Sequence, residues 1–140
     1  MSQNIKESEY QITRFEKLWV WQKAHKLMLE IHKLTKNLPA EERFKLRSQI
    51  ERSSSSVPDN IAEGSSCYYY NDKIKSYYNA RKEAGETQNH LYSMSGKRYI
   101  SSHLANRLIA EYEEVIRGLN GLIRSTAEKR DKTKLRGSKF

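Results

Sequence analysis

The segment Arg52-Ser53-Ser54-Ser55-Ser56-Val57-Pro58-Asp59-Asn60-Ile61-Ala62-Glu63-Gly64 constrains the fold more than any other part of the chain. Small side chains in an amphipathic stretch cannot fill a wide core, so their backbone must lie close to a neighbouring one. Pro58 has no amide hydrogen and clashes with the preceding turn, which predicts a bent helix, and Gly64 suits the left-handed residue that ends one. The segment therefore describes packing rather than catalysis.

On either side of it, apolar positions repeat at helical spacing. Val20, Ala24, Leu27, Ile31, Leu34 and Leu38 step by alternating fours and threes, predicting a helix from Phe15 to Leu38 that Asn37-Leu38-Pro39 stops. A second helix is expected over residues 41–63, with Leu46, Ile50, Ser53 or Ser54, Val57 and Ile61 turned inward. Asn71 or Asp72 offers an N-cap for a third, reaching Arg98, whose stripe of Ile74, Tyr77, Ala80, Ala84, Thr87, Leu91 and Met94 is small enough to suit the serine-rich second. Ser101 or Ser102 caps a fourth, with Leu108, Tyr112, Val115, Leu119, Leu122 and Thr126 in heptad step, flanked by Ile109, Ile116 and Ile123. Gly118 and Gly121 interrupt that helix at about 1 kcal/mol each, and a close contact is expected to account for them. Strand-like alternation is absent, so the predicted fold is all-α, an antiparallel up-and-down four-helix bundle with a bent second helix.

Length and charge bound the function. At 140 residues the chain makes one domain, read as a flexible arm (1–14), the bundle (15–127) and a tail (128–140). Its 26 Lys and Arg against 17 Asp and Glu leave +9, which favours polyanionic partners such as RNA, DNA or acidic protein surfaces; the competing reading is solubility alone. The tail carries Lys129, Arg130, Lys132, Lys134, Arg136 and Lys139 against Glu128 and Asp131, a basic composition expected to be disordered. With Lys73, Lys75, Arg81, Lys97 and Arg98 on the bundle, these are the candidates for phosphate contact, and Tyr68, Tyr69 and Tyr70 are candidates for stacking on unpaired bases. Cys67 stands alone, which fits a reducing, cytoplasmic setting, and no apolar run approaches the roughly 20 residues that span a bilayer, so no membrane partner is expected.

Catalytic constellations are not apparent. His25 and His32 lie two turns apart, about 10 Å along a helix, too far to share a metal, and Glu86 and His90 have the spacing of a surface pair. The serines lack a nucleophile elbow, Cys67 sits near the negative end of a helix, and no glycine-rich phosphate loop occurs. The expectation is no enzyme, no cofactor and no metal. Asn60 and Glu63, beside Pro58, are expected to satisfy the carbonyl that the proline frees; alternatively, with Arg52, they line a contact between subunits or the lumen of a ring. Phe15, Trp19, Phe44 and Tyr99 are left over from the helical stripes and are interface candidates.

Several segments carry a resemblance. Phe15-Glu-Lys-Leu18, Trp21-Gln22-Lys23-Ala24, Leu38-Pro39-Ala-Glu-Glu, Gln49-Ile50-Glu-Arg52, Ser56-Val-Pro58-Asp-Asn60-Ile61-Ala62-Glu63-Gly64 and Glu86-Thr87-Gln-Asn-His-Leu91 resemble the bacterial four helix bundle protein family, whose founding members are encoded by intervening sequences in large-subunit ribosomal RNA genes. The likeness spans residues 15–126. It implies a ring-shaped homopentamer without known catalysis, similar in fold to the accessory protein that partners reverse transcriptase in diversity-generating retroelements, so a reverse transcriptase is a further partner it implies. The chain departs from the family pattern at Ser53, Ser54 and Ser55, where alanines and an apolar residue are usual, and at Lys82-Glu83, where a Gly-Ser pair is common.

Overall fold

The computed structural model describes residues 14–137, which form four α-helices and no strand. A 3-10 turn, Phe15–Lys17, leads into α1 (Trp19–Leu34), which a second 3-10 turn, Thr35–Asn37, carries to the Leu38-Pro39 stop. A third, Ala40–Glu42, precedes α2 (Leu46–Ser66), followed by α3 (Tyr70–Gly96) and α4 (Ser102–Leu135). The predicted caps are only half right: Ser101 Oγ accepts the Leu104 amide at 3.1 Å, whereas Asn71 and Asp72 lie inside α3, whose first residue follows an uncapped Tyr69.

Pairwise contacts give the register. Lys23 on α1 meets Glu114 on α4 at 2.6 Å, and Glu30, two turns on, meets Arg107, two turns back. His32 of α1 bonds to Ser55 of α2, and Thr35, in the 3-10 turn that follows α1, bonds to Glu51 of α2. Arg81 of α3 reaches Asn120 of α4 at 2.8 Å, and Gln88 reaches the Ile109 carbonyl. Each helix thus runs antiparallel to the two beside it. Between them lie the residues whose spacing marked them as inward: Ala24, Leu27, Ile31, Ile50, Val57, Ile61, Tyr77, Ala80, Ala84, Leu91, Met94, Leu108, Tyr112, Val115 and Leu119 are buried, with Ile123 in place of the expected Leu122. Burial pushes the Tyr77 phenol up to about 12 and the Tyr112 phenol further.

The small-residue seam joins α2 to α3. Ser53 and Thr87 are both buried and their hydroxyls lie 2.8 Å apart, so serines occupy alanine-sized positions without orphaning a polar group. Gly64 does not end its helix: α2 continues to Ser66, and Gly64 is buried where an added Cβ would come within 2.6 Å of the Tyr77 ring and 3.1 Å of the Lys73 carbonyl. Ring packing, rather than backbone freedom, explains this glycine. Pro58 sits within continuous helix, and Asn60 donates to the Ser56 carbonyl at 2.8 Å; the carbonyl that Pro58 leaves free is that of Ser54, so Asn60 does not serve it. Glu63 is exposed and does not serve it either.

Gly118 conforms to the close-contact expectation, with Trp19 and Val20 over it; Gly121 does not, having nothing within 4 Å of an added Cβ. Nor does the chain become irregular at residue 128. Extending a formed helix needs no new nucleus, and lysines and arginines suit the negative end of its dipole, so α4 runs to Leu135 and ends at Gly137 in the left-handed region at φ 75°. Residues 1–13, most of the predicted arm, and 138–140 with Lys139 lie outside the described residues.

The two kinds of glycine should separate in urea denaturation. Gly64→Ala forces a methyl into an immobile buried ring and should cost about 1–3 kcal/mol. Gly121→Ala adds helix propensity in open space and should gain about 0.5–1 kcal/mol.

Candidate nucleic-acid interface

Antiparallel packing sorts the predicted contact residues to opposite ends of the bundle. At one end the α2–α3 connection presents Tyr68 and Tyr69, 71% and 55% exposed, their rings edge to face at 5.0 Å. Arg130 of α4 donates to the Asn71 side chain at 2.9 Å, which sets the cationic end of α4 beside those tyrosines. Lys129, Lys132, Lys134 and Arg136 are exposed there, and the last turn of α4 extends beyond the start of α3. Lys75 is exposed on the first turns of α3, while Tyr70, at its start, is half-buried. Six candidate cations and two exposed aromatics thus share one end, against the carboxylates of Asp72, Glu128 and Asp131.

Other candidates have internal duties. Lys73 donates to the Ser65 carbonyl at 3.0 Å, capping the C-terminus of α2 with a positive charge. Arg81 lies between Asn120 and the Tyr78 ring, its guanidinium carbon 4.7 Å from the centroid. Lys97 and Arg98 lie at the far end. Arg98 holds φ 64° in the turn that ends α3, where the Tyr99 amide returns to the Met94 carbonyl and the Arg98 amide to Ser95. Lys97 donates to Glu42 at 2.9 Å, and the Tyr99 hydroxyl donates to the same carboxylate oxygen at 2.8 Å. Glu42 is buried, and Lys97 first, then Tyr99, holds its carboxyl below the ordinary value. Sequence periodicity offered no sign of this lock, because its members come from two connections far apart in the chain, the turn before α2 and the one after α3.

The remaining candidates divide similarly. Phe15 packs against Trp21 at 5.2 Å and Tyr99 against the core, whereas Trp19 and Phe44 are 53% and 83% exposed. Arg52 bridges α2 to Glu86 of α3 at 2.7 Å and to Glu83 at 3.3 Å. His25 stacks on Trp21 at 4.7 Å, and His32 Nε2 lies 3.0 Å from Ser55 Oγ and 3.2 Å from the Glu51 carbonyl. Among the described residues no group of three His, Cys, Asp or Glu is placed to hold a metal ion, and no helix is long and apolar enough to cross a membrane.

The model of the 23S rRNA-intervening sequence protein family matches residues 16–121, all four helices but the cationic end of α4. The chain belongs to that family. Among solved structures, a protein of unknown function from the S23 ribosomal protein family of Bacteroides thetaiotaomicron is similar to it, at 28% identity and a TM-score of 0.70, covering 75% of this chain and 95% of that one. No curated protein matches. In this 23S rRNA-intervening sequence protein Ser53 is bonded to Thr87, Lys82 is exposed, and Glu83 takes up Arg52.

The Glu42 lock has a pH signature. Its carboxyl is depressed in the folded state, so its contribution is present above the unfolded value near 4.5 and is lost as pH falls through the folded one. Glu42→Gln should therefore lower the thermal midpoint at pH 7, and the gap to the parent should close as thermal scans move below pH 4.5.

Proposed function

We propose that this protein is a non-enzymatic basic scaffold that binds RNA with the tyrosine-rich, cationic end of its bundle, assembled as a homopentamer. The observation that carries the reading is the Arg130–Asn71 contact, which brings the cations of α4 and the exposed Tyr68 and Tyr69 to one place. Phosphates take up the cations with release of counterions, and unpaired bases stack on tyrosine faces, so the pairing of charge with flat rings suits single-stranded or looped RNA. Several copies in a ring would multiply a +9 chain into a strong attractive field.

Binding to a labelled single-stranded RNA should fall steeply as salt rises from about 50 to 200 mM. Replacing Lys129, Lys132, Lys134 and Arg136 together by glutamine should reduce the slope of log K against log salt by about 3, at about 0.7 per lost phosphate contact. No binding by the parent at low salt would overturn the reading.

A second reading, a protein-interaction oligomer whose charge serves solubility, is favoured by the exposed Trp19 and Phe44. It shares the assembly. Light scattering after gel filtration should give five chain masses for the parent and one for a Trp19→Glu, Phe44→Glu double variant with unchanged helical circular dichroism.

A further inference from the structure

The outward face of α3 carries a feature that the basic end does not explain. Tyr78, Gly85 and Tyr92 follow one another at seven-residue spacing, so they share one face, each about 10 Å from the next. The two tyrosines are 45% and 59% exposed, and nothing lies within 4 Å of a Cβ added at Gly85. The missing side chain opens a cavity of about 630 Å³ between α2 and α3, lined by Gln49, Arg52, Gly85, Glu86, Asn89 and His90. It is lined by polar groups with capacity to spare. The amides of Gln49 and Asn89 and the imidazole of His90 make no hydrogen bond among the described residues, while Glu86 is neutralised by Arg52 at 2.7 Å.

The surroundings suit an unpaired nucleic acid strand. Lys75 and Lys82 are exposed within a turn of Tyr78, and Arg81, held by Asn120, backs the Tyr78 ring and fixes it as a platform. Burial lowers the His90 pKa, so its ring is neutral near pH 7 and can both donate and accept. Asparagine and glutamine amides match the donor and acceptor pair that adenine presents at N6 and N7.

We propose that this face is a track for single-stranded RNA on which Tyr78 and Tyr92 stack bases and the Gly85 cavity receives one adenine through Gln49 and Asn89. The inference rests on the RNA-binding reading and adds to it a position and a base preference. Glycine at a half-buried helical position with open space beside it is also a direct place to test it, because a larger residue there blocks the cavity while favouring the helix.

The test is fluorescence anisotropy of the full-length chain with labelled 12-nucleotide oligo(A), oligo(U) and oligo(C) RNA at one fixed salt concentration, with masses recorded by light scattering. The parent should prefer oligo(A) at least about fivefold. Gly85→Leu should weaken oligo(A) binding about 10-fold and erase the preference while leaving oligo(U) and oligo(C) binding unchanged, and Tyr92→Ala should weaken all three about equally. A parent that binds all three alike, with Gly85→Leu indistinguishable from it, overturns this inference and leaves the scaffold reading standing. A parent that binds none overturns both. A change of oligomeric mass in Gly85→Leu assigns the face to a second copy of the chain and overturns the track.

Discussion

The approach of α2 to α3 is the constraint on which the rest of the bundle depends. Tyr77 can pack against α2 because Gly64 has no side chain, and Ser53 and Thr87 can face each other in the interior because their hydroxyls bond to each other and to carbonyls of their own helices. With those two helices drawn together, the larger residues of α1 and α4 close the other side of the core around Tyr112, Leu108 and Leu119. A wider α2–α3 spacing would strand hydroxyls and open voids, and close-packed interiors tolerate neither.

The same seam determines what reaches the surface. Because the inward stripe of α3 is narrow, most of its circumference is free to carry Lys75, Tyr78, Lys82, Gly85 and Tyr92. Antiparallel register then divides the cations by end. Those of α4 stand beside Tyr68 and Tyr69, where no buried carboxylate claims them, whereas Lys97 is drawn at the opposite end to the buried Glu42. One net charge therefore conceals two populations, cations bound within the bundle and cations exposed at its end. Only the second can release counterions on binding.

Much of this was legible in the chain. The inward stripes of all four helices follow from their periods, because burial repeats with the helical turn whatever the partner is. The Leu38-Pro39 stop and the Ser101 cap follow from local backbone chemistry. Errors arose where a local cue had a tertiary explanation. Gly64 looked like a helix end and is a seat for Tyr77; Asn60 looked like a partner for the freed Ser54 carbonyl and bonds the Ser56 carbonyl instead; residues 128–135 looked too charged to fold and are carried by the helix before them. Lys73 and Arg81 looked like ligand contacts and are bound within the bundle.

The sequence by itself determined the number of helices, their buried faces and the excess of positive charge, since each is a property of spacing or composition within one segment. Only the tertiary structure decided which cations remain unpaired, which glycine is a packing site and which opens a cavity, and that Tyr68 and Tyr69 stand beside the end of α4. Those outcomes depend on which residue lies opposite, at 3 Å or at 10 Å, and hydrogen bonds, ion pairs and steric overlap all act over distances that sequence separation does not encode.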